Sequence, residues 1–514
     1  MIFSIHQKTK TKTAFYTIDR EMSYGELAEA IRQMEAQLAG KKLVFCFSRN
    51  SIASAVGYLG ILDQGSVPLL LDPKMNRKQL ETLYESYRPQ LFWIPKELWE
   101  EWRKEWEGAE RFQYEDYLLV APGGPFREAS VQDTKGAAAL THEGIHEQLA
   151  LLLTTSGSTG SPKLVRLSRE NLISNAASIC QYLEIGEEER AITSLPMYYT
   201  YGLSIIHSHL LAGASVILTE DSVLQDSFWQ LAGRREATSL SGVPYTYQLL
   251  DRLHFFAHPS KTVRVMTQAG GKLSEGLQRK AAAWAREQGV RFYIMYGQTE
   301  ATARMAYLPP DRSLEKPGSL GIAIPGGRLW LEDEGGRLVS EPGRTGELYY
   351  QGPNVFLGYA GSREDLARGD ERGGILATGD LAQFDEEGYF YIVGRKSRFL
   401  KLYGRRISLD SCEKMLEDAW RQGTILPESE GGTGGLQEAE FACVGDDTGI
   451  LVACTGRELA EPAGRWLCQQ LDLSRRAVRS LWMPRLPRTS QGKKNYKAIQ
   501  EQQEEGDEDG AFGA

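Results

Sequence analysis

Short apolar runs alternate along the chain with amphipathic stretches. Leu43–Phe47 and Val67–Leu71 are unbroken apolar segments of strand length, and residues 51–62 between them carry apolar positions at helical period. A further run at 90–94 follows a charged helical segment. The same rhythm returns at 214–218 and 263–266, in the Ala-rich stretch 279–288, and at 292–295. Strands alternating with helices predict crossover units and parallel sheets with helices on both faces. Beyond about residue 318 the pattern changes to short alternating runs at 328–331, 346–350 and 389–393, punctuated by Gly and Pro, which predicts a small antiparallel β region. The fold class expected is therefore α/β: a large N-terminal region of parallel sheets with helices plus that antiparallel region, followed by a small α+β C-terminal domain. The pattern resets across the basic stretch 394–406, which sets the expected boundaries: a large domain over 1–394, a small one over 395–500, and an acidic, unstructured tail over 501–514. The Gly-rich segment 428–438 reads as a surface loop.

A chain of 514 residues is long enough for more than one domain. Its net charge of −9 argues against a nucleic-acid or membrane-surface binder, whose footprint would be basic. No apolar stretch approaches the roughly 18 residues that a spanning helix needs, and the first twenty residues hold no continuous apolar segment, so neither a span nor a signal peptide is expected. Six scattered cysteines form no C-x-x-C pair, as in a reduced cytoplasmic protein.

The segment Leu151-Leu-Leu-Thr-Thr-Ser-Gly-Ser-Thr-Gly-Ser-Pro-Lys163 carries the most chemical information. An apolar run feeds a loop in which Gly157 and Gly160 permit turns that aim backbone N–H groups at an anion. Thr155, Ser156, Ser158 and Thr159 add short-reach donors, and Lys163 adds charge. This is phosphate-handling chemistry without a Walker A loop: Pro162 precedes the lysine, and Leu164 stands where the magnesium-binding hydroxyl would be, which sets a P-loop kinase aside. Downstream, Tyr296-Gly-Gln-Thr-Glu300 follows the buried run 292–295 at a strand's C-terminal end, where open α/β sheets collect ligands. It offers an aromatic face for a base, a hydroxyl for phosphate and a carboxylate for Mg²⁺.

Taken with these two, further motifs in fixed order resemble the adenylate-forming superfamily of acyl-CoA synthetases, peptide-synthetase adenylation domains and luciferases. They are Ser23-Tyr-Gly-Glu-Leu27, Gly65-Ser-Val-Pro-Leu-Leu-Leu-Asp-Pro73, the run from Gly346 to Tyr359, Thr378-Gly-Asp380, Gly394-Arg395 and Leu486-Pro-Arg-Thr-Ser-Gln-Gly-Lys493. The resemblance covers nearly the whole chain. It implies an ATP-dependent ligase that forms an acyl-adenylate with release of pyrophosphate, then passes the acyl group to a thiol. Its implied cofactors are ATP, Mg²⁺ and coenzyme A, or phosphopantetheine, and its implied partners are a small carboxylic acid and, alternatively, an acyl carrier protein. By the same resemblance Tyr296 lies against adenine, Gly297 beside it belongs to the cofactor-binding set, Thr299 meets the α-phosphate, Glu300 binds magnesium, Asp380 and Arg395 reach the ribose, and Lys493, rather than its neighbour Lys494, serves adenylation. The basic run from Arg395 to Arg406 is similar to the family's hinge, with Ser397 where many relatives carry Asp; Lys401 and Gly404 align with positions that serve thiol transfer.

For the acid itself, Leu195-Pro-Met-Tyr-Tyr-Thr-Tyr-Gly-Leu203 resembles the acyl-CoA synthetase element rather than that of amino-acid adenylation domains. Thr200 falls where the latter hold an Asp, and a neutral hydroxyl pairs an α-ammonium poorly. Tyr199, Val243, Gly270 and Met295 are the candidate pocket residues. Two alternatives stand beside this reading: an enzyme that loads a phosphopantetheinyl carrier protein, and a non-catalytic homologue. Against the second, Lys163, Glu300, Asp380, Arg395 and Lys493 are all retained.

Overall fold

The computed structural model describes residues 1–106, 108–123, 144–154, 163–259, 261–403, 405–425, 439–446, 448–488 and 493–509. The loop residues Thr155, Ser156, Gly157, Ser158, Thr159 and Gly160, together with Gly404 and the segment 428–438, lie outside them. Among the described residues the chain forms two compact units, one built from residues up to 329 together with 350–376, the other from 330–349 and everything from 377 onward.

The first unit contains two large sheets. In one, Leu149–Thr154, Val67–Leu71, Leu43–Phe47 and Leu91–Pro95 lie parallel side by side. In the other, Arg291–Tyr296, Val265–Gln268, Ser239–Gly242, Arg190–Ile192, Ser215–Ile217 and Thr13–Tyr16 form the parallel run. The predicted apolar runs 43–47 and 67–71 are strands of those bounds, buried at every position, because a strand covered on both faces has no polar face to present. Both sheets are parallel only at their centres. Glu21–Ser23 and Ala306–Leu308 add antiparallel edges to one, and Leu164–Ser168, Gly358–Ala360 and the hairpin Gly108–Tyr114/Tyr117–Pro122 to the other.

The helix expected at 51–62 runs Ile52–Gln64. Ser51 caps it by accepting from the Ser54 N–H, and Gly65 ends it at φ +96°. Its residues 52–62 are all buried, so it is apolar all round.

The second unit carries the expected antiparallel sheet, Arg328–Glu332, Gly346–Gln351, Ile375–Phe384 and Phe390–Arg395 in that order. It also holds a ribbon, Phe399–Leu402 with Arg405–Ser408, and a three-stranded sheet packed with the helices Leu409–Arg421 and Ala460–Leu471. Residues 394 and 395, where the sequence pattern resets, end the strand Phe390–Arg395. The acidic stretch expected as an unstructured tail is helical as far as Asp509, within Tyr496–Asp509; Glu and Gln are strong helix formers, and the first part of that helix is anchored by the fully buried Ile499.

Two histidines on the helix Thr200–Ala212 tie stability to pH. His207 accepts from or donates to the Tyr58 hydroxyl at 2.7 Å, and His209 Nδ1 lies 2.8 Å from the Ile205 carbonyl. Burial pushes His207 down to about 3 and His209 to about 4. Both are therefore neutral when folded, whereas the unfolded chain takes up their protons near pH 6.5. Stability from these sites is complete above pH 6.5 and falls as pH drops below it, by at most about 1.4 kcal/mol per pH unit for each histidine. Urea unfolding between pH 7.5 and 5 should show this slope, and His207→Asn should flatten it relative to wild type. A slope unchanged by that substitution would place the acid sensitivity elsewhere.

Candidate active site

The strand Arg291–Tyr296 is buried through its middle four positions and ends at the half-buried Tyr296. The chain then turns sharply, and the residue types of the turn answer to its geometry. A Cβ at Gly297 would stand 1.8 Å from the Ala303 carbonyl oxygen, so no other residue fits there. Thr302, β-branched, holds φ +65° and is buried, a conformation that persists only where surroundings over-determine it. Its hydroxyl donates to the Asn354 carbonyl at 2.7 Å, and its own carbonyl accepts from the Thr200 hydroxyl. The Asn354 side-chain amide donates to the Ala301 and Arg304 carbonyls at 2.8 and 2.9 Å, while Tyr350 donates to Asn354 Oδ1 at 2.8 Å.

Thr299 and Glu300 sit on this braced turn, both half-buried. Glu300 Oε1 accepts from the Tyr359 hydroxyl at 2.8 Å, and the Glu300 carbonyl accepts from the Phe356 N–H at 2.9 Å. Burial, and then the Glu300 charge, raise the Tyr359 pKa well above the ordinary phenol range, so Tyr359 is a permanent donor. Tyr359 also lies opposite Val165 in the edge pairing of Gly358–Ala360 with Leu164–Ser168. Val165 is two residues beyond Lys163, which is exposed at the mouth of the hairpin where Thr154 pairs with Leu164. Arg166, fully buried, fixes this edge by pairing with Glu371 and donating from Nε to the Tyr359 carbonyl at 3.2 Å. One short strand thus ties the carboxylate to the hairpin that bears the Gly/Ser/Thr loop. Among the described residues Glu300 makes no other side-chain bond, so Oε2 remains to meet a cation, as a magnesium ligand requires.

Three of the candidate pocket residues converge. A Cβ on Gly270, at φ +84°, would meet the Tyr199 hydroxyl at 2.6 Å and Val243 Cγ1 at 3.1 Å. Met295 lies apart from these three, lining a separate cavity with Tyr201 and Arg304. Thr200 opens the helix Thr200–Ala212, and its hydroxyl is committed to Thr302, leaving nothing there to receive an ammonium.

In the second unit Asp380 is buried, and the strand pairing sets it opposite Arg395, whose Nε lies 3.3 Å from its Oδ1. Thr378 orients this turn, accepting from the Asp380 N–H at 3.1 Å and donating to the Leu348 carbonyl at 2.8 Å. Lys494 is held in the interior of the unit: its Nζ lies 2.8 Å from Glu413 Oε2 and 2.6 Å from the Phe441 carbonyl. Burial disfavours that charge, but Glu413, Tyr496 and Glu417 outweigh it and raise the Lys494 pKa. Lys493 beside it is half-exposed, and Lys401 stands opposite Arg406 on the two-stranded ribbon.

Several participants escaped the sequence pattern. Tyr359 lies inside the quoted 346–359 motif, but its partner is set by sheet pairing. Arg304 and Arg166 look like solvated cations in alternating segments. The string His142-Glu-Gly-Ile-His146 has the spacing of a helical zinc-binding pair, yet from Gly144, at φ +154°, the described backbone is a turn. Among the described residues no group of three His, Cys, Asp or Glu could hold a metal, and no helix is long and apolar enough to cross a membrane.

Crossover-linked parallel sheets, a carboxylate braced beside the hairpin strand Leu164–Ser168, and a separate small unit in which buried Asp380 meets the exposed Arg395 make an α/β scaffold of the kind that collects ligands at its strand ends. The chain belongs to the AMP-binding enzyme family, whose model matches residues 4–360. Among curated relatives, the 2-succinylbenzoate–CoA ligase of Bacillus cereus is 31% identical over 300 residues, 58% of each chain. That of Bacillus subtilis strain 168 is 31% identical over 267 residues, 52% of this chain and 53% of the other. The matches thus span little more than half the length of these relatives. Among solved structures, o-succinylbenzoate CoA synthetase from Bacillus subtilis, in complex with the acyl-adenylate intermediate OSB-AMP, superposes with a TM-score of 0.72 at 22% identity over 96% of each chain. ATP-bound MatB from Rhodopseudomonas palustris gives 0.72 at 23% identity, over 97% of this chain and 98% of that one. These likenesses establish the fold.

The tight turn yields a stability test. Gly297→Ala should destabilise the protein by about 3 kcal/mol, because the new methyl meets backbone. Gly276→Ala, in the helix Glu275–Gln288 with nothing within 4 Å of the added carbon, should be neutral or stabilising by up to about 1 kcal/mol. Urea midpoints of the two variants check both signs; equal midpoints would mean that the turn relaxes freely.

Proposed function

We propose that this protein activates a carboxylic acid with ATP, forming an acyl-adenylate and pyrophosphate, and then transfers the acyl group to the thiol of coenzyme A. The observation that carries this reading is the Tyr359–Glu300 bond, which ties a carboxylate to the hairpin bearing the phosphate-type loop. Family membership and the names of the relatives support it. In the first half-reaction a carboxylate oxygen attacks the α-phosphorus and pyrophosphate leaves; in the second, the thiolate sulfur attacks the acyl carbon and AMP leaves. Both reactants of the first step are anions, so the protein's work is positioning and charge screening, with no obligatory protein nucleophile.

In this reading Lys163 and the loop Thr155–Gly160 hold the β- and γ-phosphates, Thr299 meets the α-phosphate, and Tyr296 with Gly297 flanks the adenine. Asp380 accepts from the ribose hydroxyls while Arg395 steadies it. Glu300 Oε2 is the protein ligand for magnesium, which when bound neutralises phosphate charge. Lys493 bridges the acid and the α-phosphate. Tyr199, Val243 and Gly270 border the acyl group, while Met295 lines the separate cavity. The segment 395–500 turns about residues 394–397 between half-reactions, exchanging Lys493 for Lys401 and Gly404. ATP and coenzyme A are cytoplasmic metabolites, which sets the cytoplasm as the place of action.

The direct test is acid-dependent pyrophosphate release across a carboxylate panel that includes 2-succinylbenzoate, each acid with and without coenzyme A. Thioester formation only with a phosphopantetheinyl carrier protein would reassign the acceptor, and no release with any acid would sink the proposal.

Glu300→Gln keeps the acceptor for Tyr359 and removes the charge. Pyrophosphate release should fall on the order of 10²-fold or more, with partial recovery at high Mg²⁺. Near-normal release at limiting Mg²⁺ would show that the metal role is misassigned.

Two lysines should fail in opposite half-reactions. Lys493→Ala should lose adenylate formation by on the order of 10²-fold yet convert supplied acyl-adenylate to thioester. Lys401→Ala should release pyrophosphate but transfer slowly to the thiol. Single-turnover assays of each half-reaction decide this; equal loss of both steps in both variants would refute the exchange.

A further inference from the structure

Beside Tyr359 stands a cation that no sequence motif singled out. Arg372 lies in the turn between the edge strand Gly358–Ala360 and the strand Ile375–Phe384, and it is exposed. Its guanidinium sits 5.1 Å over the Phe356 ring and 5.8 Å over that of Tyr359. Those two rings meet edge to face at 4.9 Å, and Tyr359 is the donor to Glu300. The cation is near enough for its charge to oppose that of Glu300 at the Tyr359 hydroxyl.

The backbone around Arg372 is fixed from both sides. Asp370 Oδ1 accepts from the Arg372 N–H at 2.8 Å and from the Gly373 N–H at 3.1 Å. The Glu371 N–H donates to the Leu357 carbonyl at 2.8 Å, and the Glu371 carboxylate pairs with the buried Arg166. On the other side the Gly352 N–H donates to the Gly374 carbonyl at 3.0 Å. Arg368, in the same segment, has carboxylate partners in Asp365 at 2.8 Å and Glu371 at 3.6 Å. Arg372 has none: among the described residues no carboxylate pairs with its guanidinium, and only ring faces meet it. Contact over a ring face uses none of the guanidinium's N–H donors, so the whole fork is left for an anion. Tyr359 itself stands between Glu300 and Val165 of the strand Leu164–Ser168, which follows Lys163 directly in the chain.

We propose that Arg372 contacts the β- and γ-phosphates of ATP and, after the first half-reaction, the pyrophosphate that leaves. The inference rests on the ATP-using reading above, in which Glu300 and Lys163 serve the same phosphates. As the acid's oxygen bonds to the α-phosphorus, the bond from that phosphorus to the bridging oxygen breaks. Its electron pair, and the new negative charge, go to pyrophosphate. A guanidinium stays protonated throughout and donates two parallel bonds to a phosphate, which suits it to receive that charge. AMP lacks both of these phosphates, so it should not depend on Arg372.

The test is equilibrium binding of Mg²⁺–ATP, pyrophosphate and AMP, by titration calorimetry, to wild type, Arg372→Ala, Arg372→Lys and Arg368→Ala. Arg372→Ala should weaken ATP and pyrophosphate by about tenfold or more and leave AMP within about twofold. Arg372→Lys, a point charge without the fork, should fall between. Arg368→Ala removes an equal charge from the same segment and should leave all three affinities near wild type. Melting points should stay within about 2 °C of wild type, since the side chains are exposed. Unchanged ATP affinity in Arg372→Ala would overturn the inference. So would equal loss of ATP and AMP, which would mark a brace for the Tyr359 ring, or a matching loss in Arg368→Ala, which would mark general surface charge. Wild type that binds neither nucleotide would overturn the ATP-using reading itself, and this inference with it.

Discussion

The hydrogen bond from Tyr359 to Glu300 joins the two large sheets of the first unit at the point where chemistry is expected. Glu300 belongs to the turn that leaves one sheet, and Tyr359 to the edge strand of the other. Each sheet has its own apolar core, and burial alone is non-directional: it presses sheets together without fixing a carboxylate to within an ångström. The strand Gly358–Ala360 supplies the direction. Its backbone pairs with the hairpin strand Leu164–Ser168, its tyrosine reaches the opposite sheet, and Arg166 holds it from beneath. The position of Glu300 relative to the strand Leu164–Ser168 depends on these few directed bonds.

The same logic explains why the turn 297–304 tolerates so few residue types. A positive φ at a β-branched residue costs on the order of 1–3 kcal/mol. That cost is met by bonds from Thr200 and from the segment holding Tyr350 and Asn354, two distant parts of the chain. Strain of this kind is tolerated where it aims a side chain, and here it sets the directions of both Glu300 and Arg304.

What the sequence disclosed follows from what leaves a local trace. Strands buried on both faces, such as Leu43–Phe47, appear as apolar runs, and a capped buried helix such as Ile52–Gln64 appears between Ser51 and Gly65. Edge strands of two or three residues, and the largely exposed Gly108–Tyr114, have no such signature and went unpredicted. At the candidate site, the opposition of Asp380 and Arg395 emerges from two motifs separately visible in the sequence. Tyr359 and Arg304 do not emerge, because their meaning lies in partners that only tertiary pairing supplies. Lys493 and Lys494 are adjacent identical letters, told apart in the sequence by motif position alone; the burial of Lys494 among Glu413 and Glu417 marks it as a structural lysine.

That separation generalises to the buried charges of the whole chain. In the second unit Glu413 is enclosed by Arg398 at 2.5 Å and Lys494 at 2.8 Å, accepts from the Cys443 N–H at 2.9 Å and from Tyr496 at 3.2 Å, and has no obvious capacity left for a ligand. Such a cluster is complete in the folded protein, and its desolvation is offset on the spot. Arg304 differs in kind: its neighbours can orient it but cannot neutralise it. Among the described residues Arg166 and Arg398 meet carboxylates within the chain, whereas Arg304 is held by an aromatic face, a thioether sulfur and a backbone carbonyl. The completeness of a buried ionic cluster therefore separates side chains held by counter-charge from those held by dipoles and polarisable groups alone.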